Sequence, residues 1–175
     1  MSISIREATG KEVEALIPLL LLAEPQESAL RWSLKNLSDT AYRLDEDDEL
    51  VGAATMRWQK APCEIVELAI APEQQGKGLG RQFIQWLVAE GRRRGKSEIL
   101  VGTANASIDN IAFYQKCGFR MHEVRRDYFW YHREPVFENG IQVRDMIVFR
   151  YDLTEPDAGK RDTVTRRRGE GKERR

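Results

Sequence analysis

The stretch that decides the fold runs from Glu64 to Gly80 and reads EIVELAIAPEQQGKGLG. Its first part, Ile65 to Ile70, is mostly apolar, contains β-branched residues and has the length of a strand. Pro72 ends that strand because it has no amide hydrogen to donate to a neighbouring strand. A glycine-rich turn follows, and beyond it apolar residues recur at the spacing of a helix face: Leu79, Phe83 and Leu87. The stretch therefore predicts a strand, a glycine turn and an amphipathic helix, in that order.

A glycine turn at the start of a helix is suited to binding an anion. The first amides of the helix have no partner within it, the helix dipole adds positive potential, and glycine lets the anion approach closely. A nucleotide-triphosphate loop would need Ser or Thr after its lysine, whereas Gly78 follows Lys77. A dinucleotide loop would need glycine at position 81, which is Arg81. The spacing thus argues against both of these phosphate-binding motifs.

The remaining pattern is Gln75-x-x-Gly78-x-Gly80 after a strand that ends in Ala-Pro. It resembles the pyrophosphate loop of the GNAT superfamily of acyl-CoA-dependent N-acyltransferases. The resemblance implies that the cofactor contacts the loop residues Gln75, Gly76, Lys77, Gly78, Leu79, Gly80 and Arg81. The alternative is an ordinary glycine-rich loop without a ligand.

A second segment, Asn110 to Phe119, reads NIAFYQKCGF and resembles the other GNAT signature. Ser107, Asn110 and Tyr114 share one face of the predicted helix. In the family this face looks into a cleft between the fourth and fifth strands, which admits the pantetheine arm of the cofactor. The commonest family pattern has Asn where this chain has Ser107 and Ala where it has Asn110. The side chain that bonds pantetheine is therefore left open among Asn105, Ser107 and Asn110.

The resemblance implies an enzyme, an N-acetyltransferase that uses acetyl-CoA as co-substrate and passes the acetyl group directly to a primary amine. Main-chain groups of the fourth strand, at Leu68, Ala69 and Ile70, would bind pantetheine and polarise the thioester. Tyr114 stands where the family's general acid lies; its alternative role is a core aromatic. Acyl transfer is the expected activity, and an acyl-CoA-binding sensor without turnover is the alternative.

Two carboxylates compete for the role of general base, Glu64 and Glu67. On a regular strand, residues three apart face opposite sides of the sheet, but a β-bulge would change that. Glu67 is favoured because it lies nearer the expected cleft. No metal site is expected, and Cys63 and Cys117 have no Cys-His arrangement that would support a covalent acyl-enzyme.

The acceptor is expected to be a small-molecule or peptide amine. Among the polar residues of the last two strands, Tyr128, His132 and Asp145 are the candidate acceptor contacts. No nucleic-acid partner is expected, because 28 lysines and arginines balance 28 aspartates and glutamates and the formal net charge is zero. No stretch predicts a membrane span or a secretory signal, and two cysteines suit a reducing cytoplasm. A monomer or a homodimer is expected.

The order of predicted strands and helices along the chain matches the GNAT arrangement. The resemblance therefore implies an α/β (α+β) fold of the GNAT type, with a mixed, mostly antiparallel sheet splayed between strands 4 and 5 and flanked by helices. The predicted order is a strand at 3–8, helices at 10–23 (capped by Thr9) and 25–37, strands at 40–46, 50–59 and 64–71, and the loop helix to about 94. A strand at 99–101, a helix at 107–116 and a two-stranded arm at 119–133 and 141–152 follow, with Asn139-Gly140 as its turn signal. Residues 1–153 form the predicted domain, and 154–175 read as a disordered charged tail.

Overall fold

The computed structural model describes residues 2–155, which form a central sheet with helices on both faces. The strands are β1 (Ile3–Ala8), β2 (Thr40–Glu46), β3 (Glu49–Arg57), β4 (Cys63–Ile70), β5 (Glu98–Ala104), β6 (Arg120–Arg125), β7 (Phe137–Glu138), β8 (Ile141–Gln142) and β9 (Met146–Asp152). The helices are α1 (Lys11–Leu20), α2 (Glu27–Asn36), α3 (Leu79–Arg93) and α4 (Ile108–Lys116), with a short 3₁₀ turn at Pro72–Gln74.

Seven strands make up the sheet, in the order β1-β2-β3-β4-β5-β9-β6. Every neighbouring pair is antiparallel except β4 and β5, which run parallel. A parallel pair needs a crossover, and α3 supplies it. The predicted fold class, including its mostly antiparallel sheet, is confirmed.

The parallel pair is short, and this shortness creates the cleft. β4 and β5 pair only where Cys63 to Ile65 lie beside Ile99 to Val101. Beyond that point β4 continues to Ile70 and β5 to Ala104, with no further pairing between them among residues 2–155. The upper half of β4 stays bonded to β3, while its β5-facing edge is open, so the predicted splay between strands 4 and 5 is present.

A β-bulge lies at the base of this cleft. Thr55 of β3 pairs with Glu67, but the next residue, Met56, pairs with Ile65, so Val66 is an extra residue in β4. An extra residue reverses the side alternation of the strand. Ile65 therefore packs in the core under α3, whereas Glu67, two positions later, contacts α2 on the opposite face.

Two apolar clusters hold the helices to the sheet. The larger one joins α3 and α4 to one face through residues such as Phe83, Leu87 and Phe149, and the smaller one joins α1 and α2 to the other through residues such as Leu16 and Leu30. Leucine and phenylalanine side chains buried in this way each contribute about 1.5–3 kcal/mol of transfer free energy.

Several predicted element boundaries are corrected by the structure. The first helix begins at Lys11 and ends at Leu20, and Thr9 does not cap it with its side chain; instead the Thr9 N–H donates to Oε2 of Glu12 at 3.2 Å. The predicted two-stranded arm is also shorter than expected. β6 and β9 pair only over Arg120–Arg125 and Met146–Arg150, and the Asn139-Gly140 turn closes a separate small hairpin, β7–β8. The predicted disordered tail lies almost wholly outside the described residues.

Candidate active site

The turn between β4 and α3 presents a run of free main-chain N–H groups. Gly78 caps α3 in a left-handed conformation, with φ +86° and ψ 0°. After Gly78, the first main-chain N–H that donates a hydrogen bond within residues 2–155 is that of Gln82, to the Gly78 carbonyl at 3.0 Å. Within the described residues the amides from Gly76 to Arg81 donate no hydrogen bond. Free amides at a helix N-terminus form a cradle for an anion such as a phosphate.

Two contacts hold this turn in place. The side-chain Nε2 of Gln75 donates to the carbonyl of Ile70 at 3.0 Å, which ties the turn back to the end of β4. Gly80 lies in the first turn of α3, where a Cβ would come within 3.2 Å of the Phe113 ring of α4. The glycine therefore permits close packing of the two helices that carry the two sequence signatures. Lys77 and Arg81 are exposed at the turn and add positive charge.

The open edge of β4 lies between this turn and the bulge. Leu68, Ala69 and Ile70 pair with β3 on one side, and the side toward β5 is unpaired. A strand edge without a partner offers alternating N–H and C=O groups to an extended ligand. This edge is the predicted pantetheine-binding segment.

Tyr114 stands in the core at the α4 side of the cleft. Its ring packs against Phe113, Phe119 and Phe149, with centroid distances of 5.3 to 5.8 Å, and burial raises the pKa of its hydroxyl above the ordinary value. At neutral pH the hydroxyl is therefore protonated and can donate. The only fully buried side-chain nitrogen or oxygen without a partner in residues 2–155 is Nδ1 of His132. The Tyr114 hydroxyl, which belongs to a residue with 6% of its surface exposed, has no hydrogen-bond partner in this range either.

The three candidate pantetheine side chains differ in what they already bind. Asn105 is engaged at both ends: Oδ1 accepts from the N–H groups of Arg144 and Asp145, and Nδ2 donates to the Gln142 carbonyl. Ser107 is buried and donates to Oε2 of Glu138 at 2.6 Å. Both residues anchor the segment around the β7–β8 hairpin.

Asn110 makes a single long contact, from Nδ2 to Oγ1 of Thr103 at 3.4 Å, on the part of β5 that pairs with β9 but not with β4. Its amide oxygen has no partner among residues 2–155. Of the three, Asn110 has the most hydrogen-bonding capacity left for a ligand.

Glu67 is the buried carboxylate of the site, with 6% of its surface exposed. Its Oε1 accepts from the Ser33 hydroxyl at 2.5 Å, and its Oε2 accepts from the Thr55 hydroxyl. Burial raises the pKa of Glu67, and the two hydroxyl donors act in the opposite direction because they stabilise the carboxylate. No cation pairs with Glu67 within the described residues. A buried carboxyl of raised pKa beside a cleft has the properties of a general base.

Glu64 differs from Glu67 although the bulge brings both to the same face of the sheet. Its two oxygens form ion pairs with Nζ of Lys60 at 3.2 Å and with Nη1 of Arg125 at 3.4 Å. Both carboxylate oxygens of Glu64 are thus already bonded to cations. Of the two predicted candidates for the base, Glu67 is the carboxylate that remains unpaired with a cation.

Opposite Glu67 the segment after β6 approaches the α1–α2 loop. The hydroxyl of Tyr131 donates to Oε2 of Glu24 at 2.9 Å, which links these two parts of the chain across the sheet. Tyr128 is half-buried, and both Glu64 and Glu67 raise the pKa of its hydroxyl, after the effect of burial. Tyr128, a predicted acceptor contact, therefore interacts electrostatically with both candidate carboxylates.

The other two predicted acceptor contacts have local roles. Asp145 accepts from the N–H of Asp127 at 2.8 Å and so joins the two ends of the segment between β6 and β9. His132 packs against Phe129 and Tyr131, with ring centroids 5.6 and 4.8 Å away. Neither residue forms a hydrogen bond, ion pair or ring contact with Glu64 or Glu67 in the described part of the chain.

The cysteines offer no nucleophile. Burial raises the pKa of the Cys63 thiol to about 11 and also raises that of Cys117, so both are thiols at neutral pH. No group of three or more His, Cys, Asp or Glu side chains within residues 2–155 is arranged to hold a metal ion. In the same range no helix is long and apolar enough to cross a membrane.

Sequence reasoning missed Ser33, Thr55, Glu24 and Tyr131 as residues of this site. Ser33 stood in a crowded helical face with Leu30 and Leu34, and nothing in its neighbours indicated a partner 34 positions away. Only a polar residue at an otherwise apolar helix position was available as a signal.

Comparison with known proteins assigns the chain to a family. Residues 13–119 match the model of the acetyltransferase (GNAT) family. The uncharacterised N-acetyltransferase YvbK of Bacillus subtilis is 36% identical over 155 residues, which cover 87% of this chain and 97% of YvbK. The chain belongs to the GNAT acetyltransferase family. The predicted resemblance is thereby confirmed.

Two solved structures show how closely this GNAT acetyltransferase follows its relatives. A GNAT family acetyltransferase from Elizabethkingia anophelis with acetyl-CoA bound has a TM-score of 0.78 at 29% identity, over 86% of this chain and 97% of that one. A Bacillus subtilis acetyltransferase in complex with CoA has a TM-score of 0.76 at 34% identity, over 86% and 99%. The whole domain, rather than one motif, is therefore similar.

Proposed function

We propose that this GNAT acetyltransferase binds acetyl-CoA in the cleft between β4 and β5 and transfers the acetyl group directly to a primary amine. The observation that carries the proposal is the open edge of β4, which runs from the bulge beside Glu67 to the free amides of the glycine turn. The relatives that hold acetyl-CoA and CoA have the same fold over nearly their whole length.

The cofactor would be held chiefly by main-chain groups. The amides from Gly76 to Arg81 suit the pyrophosphate, with Lys77 and Arg81 adding charge. The open edge of β4 at Leu68 to Ile70 suits the amides of pantetheine, and Asn110, bonded to Thr103 of β5, is the side chain with spare hydrogen-bonding capacity. An amide of that edge would also polarise the thioester carbonyl.

The chemistry assigns one proton transfer to each side of the cleft. The amine nitrogen attacks the thioester carbon, and its proton passes to Glu67, directly or through a water molecule. The carbon–sulfur bond then breaks, and the leaving thiolate takes the proton of the Tyr114 hydroxyl. The products are an N-substituted acetamide and free CoA. Glu67 then releases its proton to solvent and Tyr114 takes one up, so both groups return to their starting protonation states.

A panel of primary amines tests this proposal: polyamines, amino sugars, amino acids, and peptides with a free N-terminus or lysine. CoA release is followed with a thiol reagent for the parent and for Glu67→Gln and Glu64→Gln. We expect at least one amine to support turnover, and Glu67→Gln to lower that turnover by roughly 10²-fold or more, well beyond the effect of Glu64→Gln.

Two results would speak against the proposal. If acetyl-CoA binds tightly and no amine class releases CoA, the chain acts as an acyl-CoA sensor. If Glu64→Gln causes the larger loss, the base is the ion-paired carboxylate and the assignment of Glu67 is wrong.

A further inference from the structure

The Glu67 carboxylate is held by hydroxyls from two different elements of the fold. Thr55 comes from the adjacent strand β3 and Ser33 from helix α2, and both are buried, at 0% and 6% exposure. Thr55 also accepts the main-chain N–H of Glu67 at 3.1 Å, so its hydroxyl has a fixed orientation. Ser33 Oγ then binds the other carboxylate oxygen, Oε1, at 2.5 Å.

Ser33 occupies an unusual position for a serine. It lies inside α2 on the face that packs on the sheet, with Leu30 buried one turn before it. A serine within a helix commonly satisfies its hydroxyl by bonding the carbonyl four residues earlier. The Ser33 hydroxyl instead leaves the helix and donates to Glu67, although an alanine at this position would favour the helix.

The surroundings of Glu67 make this donor important. Glu24 in the α1–α2 loop and Glu64 on β4 are like charges that raise the pKa of Glu67, after the larger effect of burial. Burial and, to a smaller extent, the charge of Glu67 raise the pKa of Tyr128 and Tyr131 in the segment after β6, and Arg125 of β6 is paired with Glu64 and Glu123 rather than with Glu67. The carboxylate therefore depends on its two hydroxyl donors.

We propose that Ser33 is a positioning residue for the transfer reaction, whose hydroxyl holds Oε1 of Glu67 so that the carboxylate faces and receives the proton of the acceptor amine. The inference rests on the proposed role of Glu67 as general base. Thr55 fixes one oxygen through the sheet, and Ser33 fixes the second through α2, which makes the placement of α2 part of the catalytic arrangement.

Ser33→Ala is the decisive variant. Ser33→Thr restores a hydroxyl, and Ser38→Ala is a matched control on the loop after α2, where the Ser38 hydroxyl makes only long 3.4 Å contacts with carbonyls of α2. The first readout needs no acceptor: a ¹³C NMR titration of the glutamate carboxyls, with the Glu67 signal assigned by its absence in Glu67→Gln. Loss of a donor to the carboxylate disfavours the charged form, so we expect the Glu67 midpoint to rise by about one pH unit.

The second readout is the pH profile of turnover on an amine identified by the panel. The acid limb of kcat/KM should move to higher pH by the same amount. At pH values below the Glu67 midpoint the variant is then about tenfold slower than the parent, because the ionised fraction of Glu67 falls tenfold for each unit by which its midpoint rises. At pH values above the midpoint the two rates approach each other. The KM for acetyl-CoA should stay unchanged, and Ser33→Thr should recover most of the parent profile.

The outcomes separate this inference from the proposed function. If Glu67→Gln is inactive but Ser33→Ala leaves the midpoint and the acid limb where they are, Ser33 is a packing residue and the base assignment stands. If Glu67→Gln retains parental turnover, the base assignment fails and the inference fails with it. If Ser33→Ala does not fold, Ser33→Cys, which keeps the size and donates only weakly, gives the same two readouts.

Discussion

Glu67 and Thr55 hydrogen-bond to each other twice across β3 and β4. The main-chain N–H of Glu67 donates to Oγ1 of Thr55 at 3.1 Å, and the same Oγ1 donates to Oε2 of Glu67. The pair lies directly beside the extra residue Val66, which turns Glu67 toward α2. The β-bulge and the Thr55 hydroxyl together fix the Glu67 carboxylate at the point where β4 and β5 separate.

We expect Gly78→Asp to lower acetyl-CoA affinity at least tenfold, or about 1.4 kcal/mol, in calorimetric titration. A carboxylate at this helix cap would repel the phosphates from the free amides. Gly95→Asp is the matched control, since Gly95 also has a positive φ, at the other end of α3, and both glycines have open space where a Cβ would be added. The control should bind normally. If Gly78→Asp binds acetyl-CoA as tightly as the parent and Gly95→Asp do, the turn does not bind the cofactor.

Tyr114→Phe should reduce turnover roughly 10²-fold while acetyl-CoA affinity and stability change little. The hydroxyl donates no hydrogen bond within residues 2–155, so its removal costs the fold no contact there, and the ring stays packed.

Tyr42→Phe is the contrasting control, because the Tyr42 hydroxyl accepts bonds from Trp58 and Arg94 at 3.0 and 3.1 Å. This variant should lose about 1 kcal/mol of stability and keep its turnover. If the Tyr114 variant turns over as fast as the parent, Tyr114 has no part in proton transfer.

The raised pKa of Glu67 predicts how stability depends on pH. The pKa of Glu67 is 4.5 in the unfolded state and higher in the folded state. Well below pH 4.5 the carboxyl is therefore neutral in both states. It destabilises the fold increasingly as the pH rises from 4.5 through the raised value, because the folded state resists ionisation. Glu67→Gln should therefore gain stability relative to the parent across that window, measured by urea unfolding from pH 4 to pH 8.

Glu90→Gln gives the opposite sign and serves as the control. The hydrogen bond from Arg93 is the main reason why the pKa of Glu90 is lowered, so Glu90 stabilises the fold above pH 4.5 and this contribution is lost as the pH falls. The Gln variant should lose stability relative to the parent as the pH rises. If the two variants change in the same direction with pH, the environment inferred for Glu67 is incorrect.

Removal of residues 156–175 should leave the melting temperature unchanged, since Val164 is the one large aliphatic residue in that stretch. Removal of residues 153–175 should lower it by at least about 5 °C. Leu153 is buried, and its carbonyl accepts a hydrogen bond from Arg92 at 3.2 Å. Its side chain packs so closely on Gly91 that a Cβ added to this glycine would lie 3.0 Å from it. Differential scanning fluorimetry measures both, and a large drop for the shorter deletion would mean that the tail packs on the domain.

The sequence by itself determined the order of the main strands and helices, although not the small β7–β8 hairpin, and it located the glycine turn proposed to bind the cofactor. The apolar period, Pro72 and the glycine turn specify a strand, a stop and a helix cap through residues that are close in the chain. The Asn139-Gly140 turn was likewise predictable, because both positions need positive φ, which these residues tolerate. Tyr114 and Asn110 could be placed together since a helix fixes the spacing of its face.

Only the tertiary structure decided which of the two carboxylates lacks a cation partner among residues 2–155. The faces of Glu64 and Glu67 depend on the register between β3 and β4, where one extra residue reverses the alternation. Lys60 and Arg125 neutralise Glu64, and Arg125 is 61 positions away in the chain. Asn105 and Ser107 bind partners 31 to 40 residues distant, and Ser33 reaches Glu67 from another element. Local patterns carry no information on such partners, because long-range hydrogen bonds form only once the sheet and helices have packed.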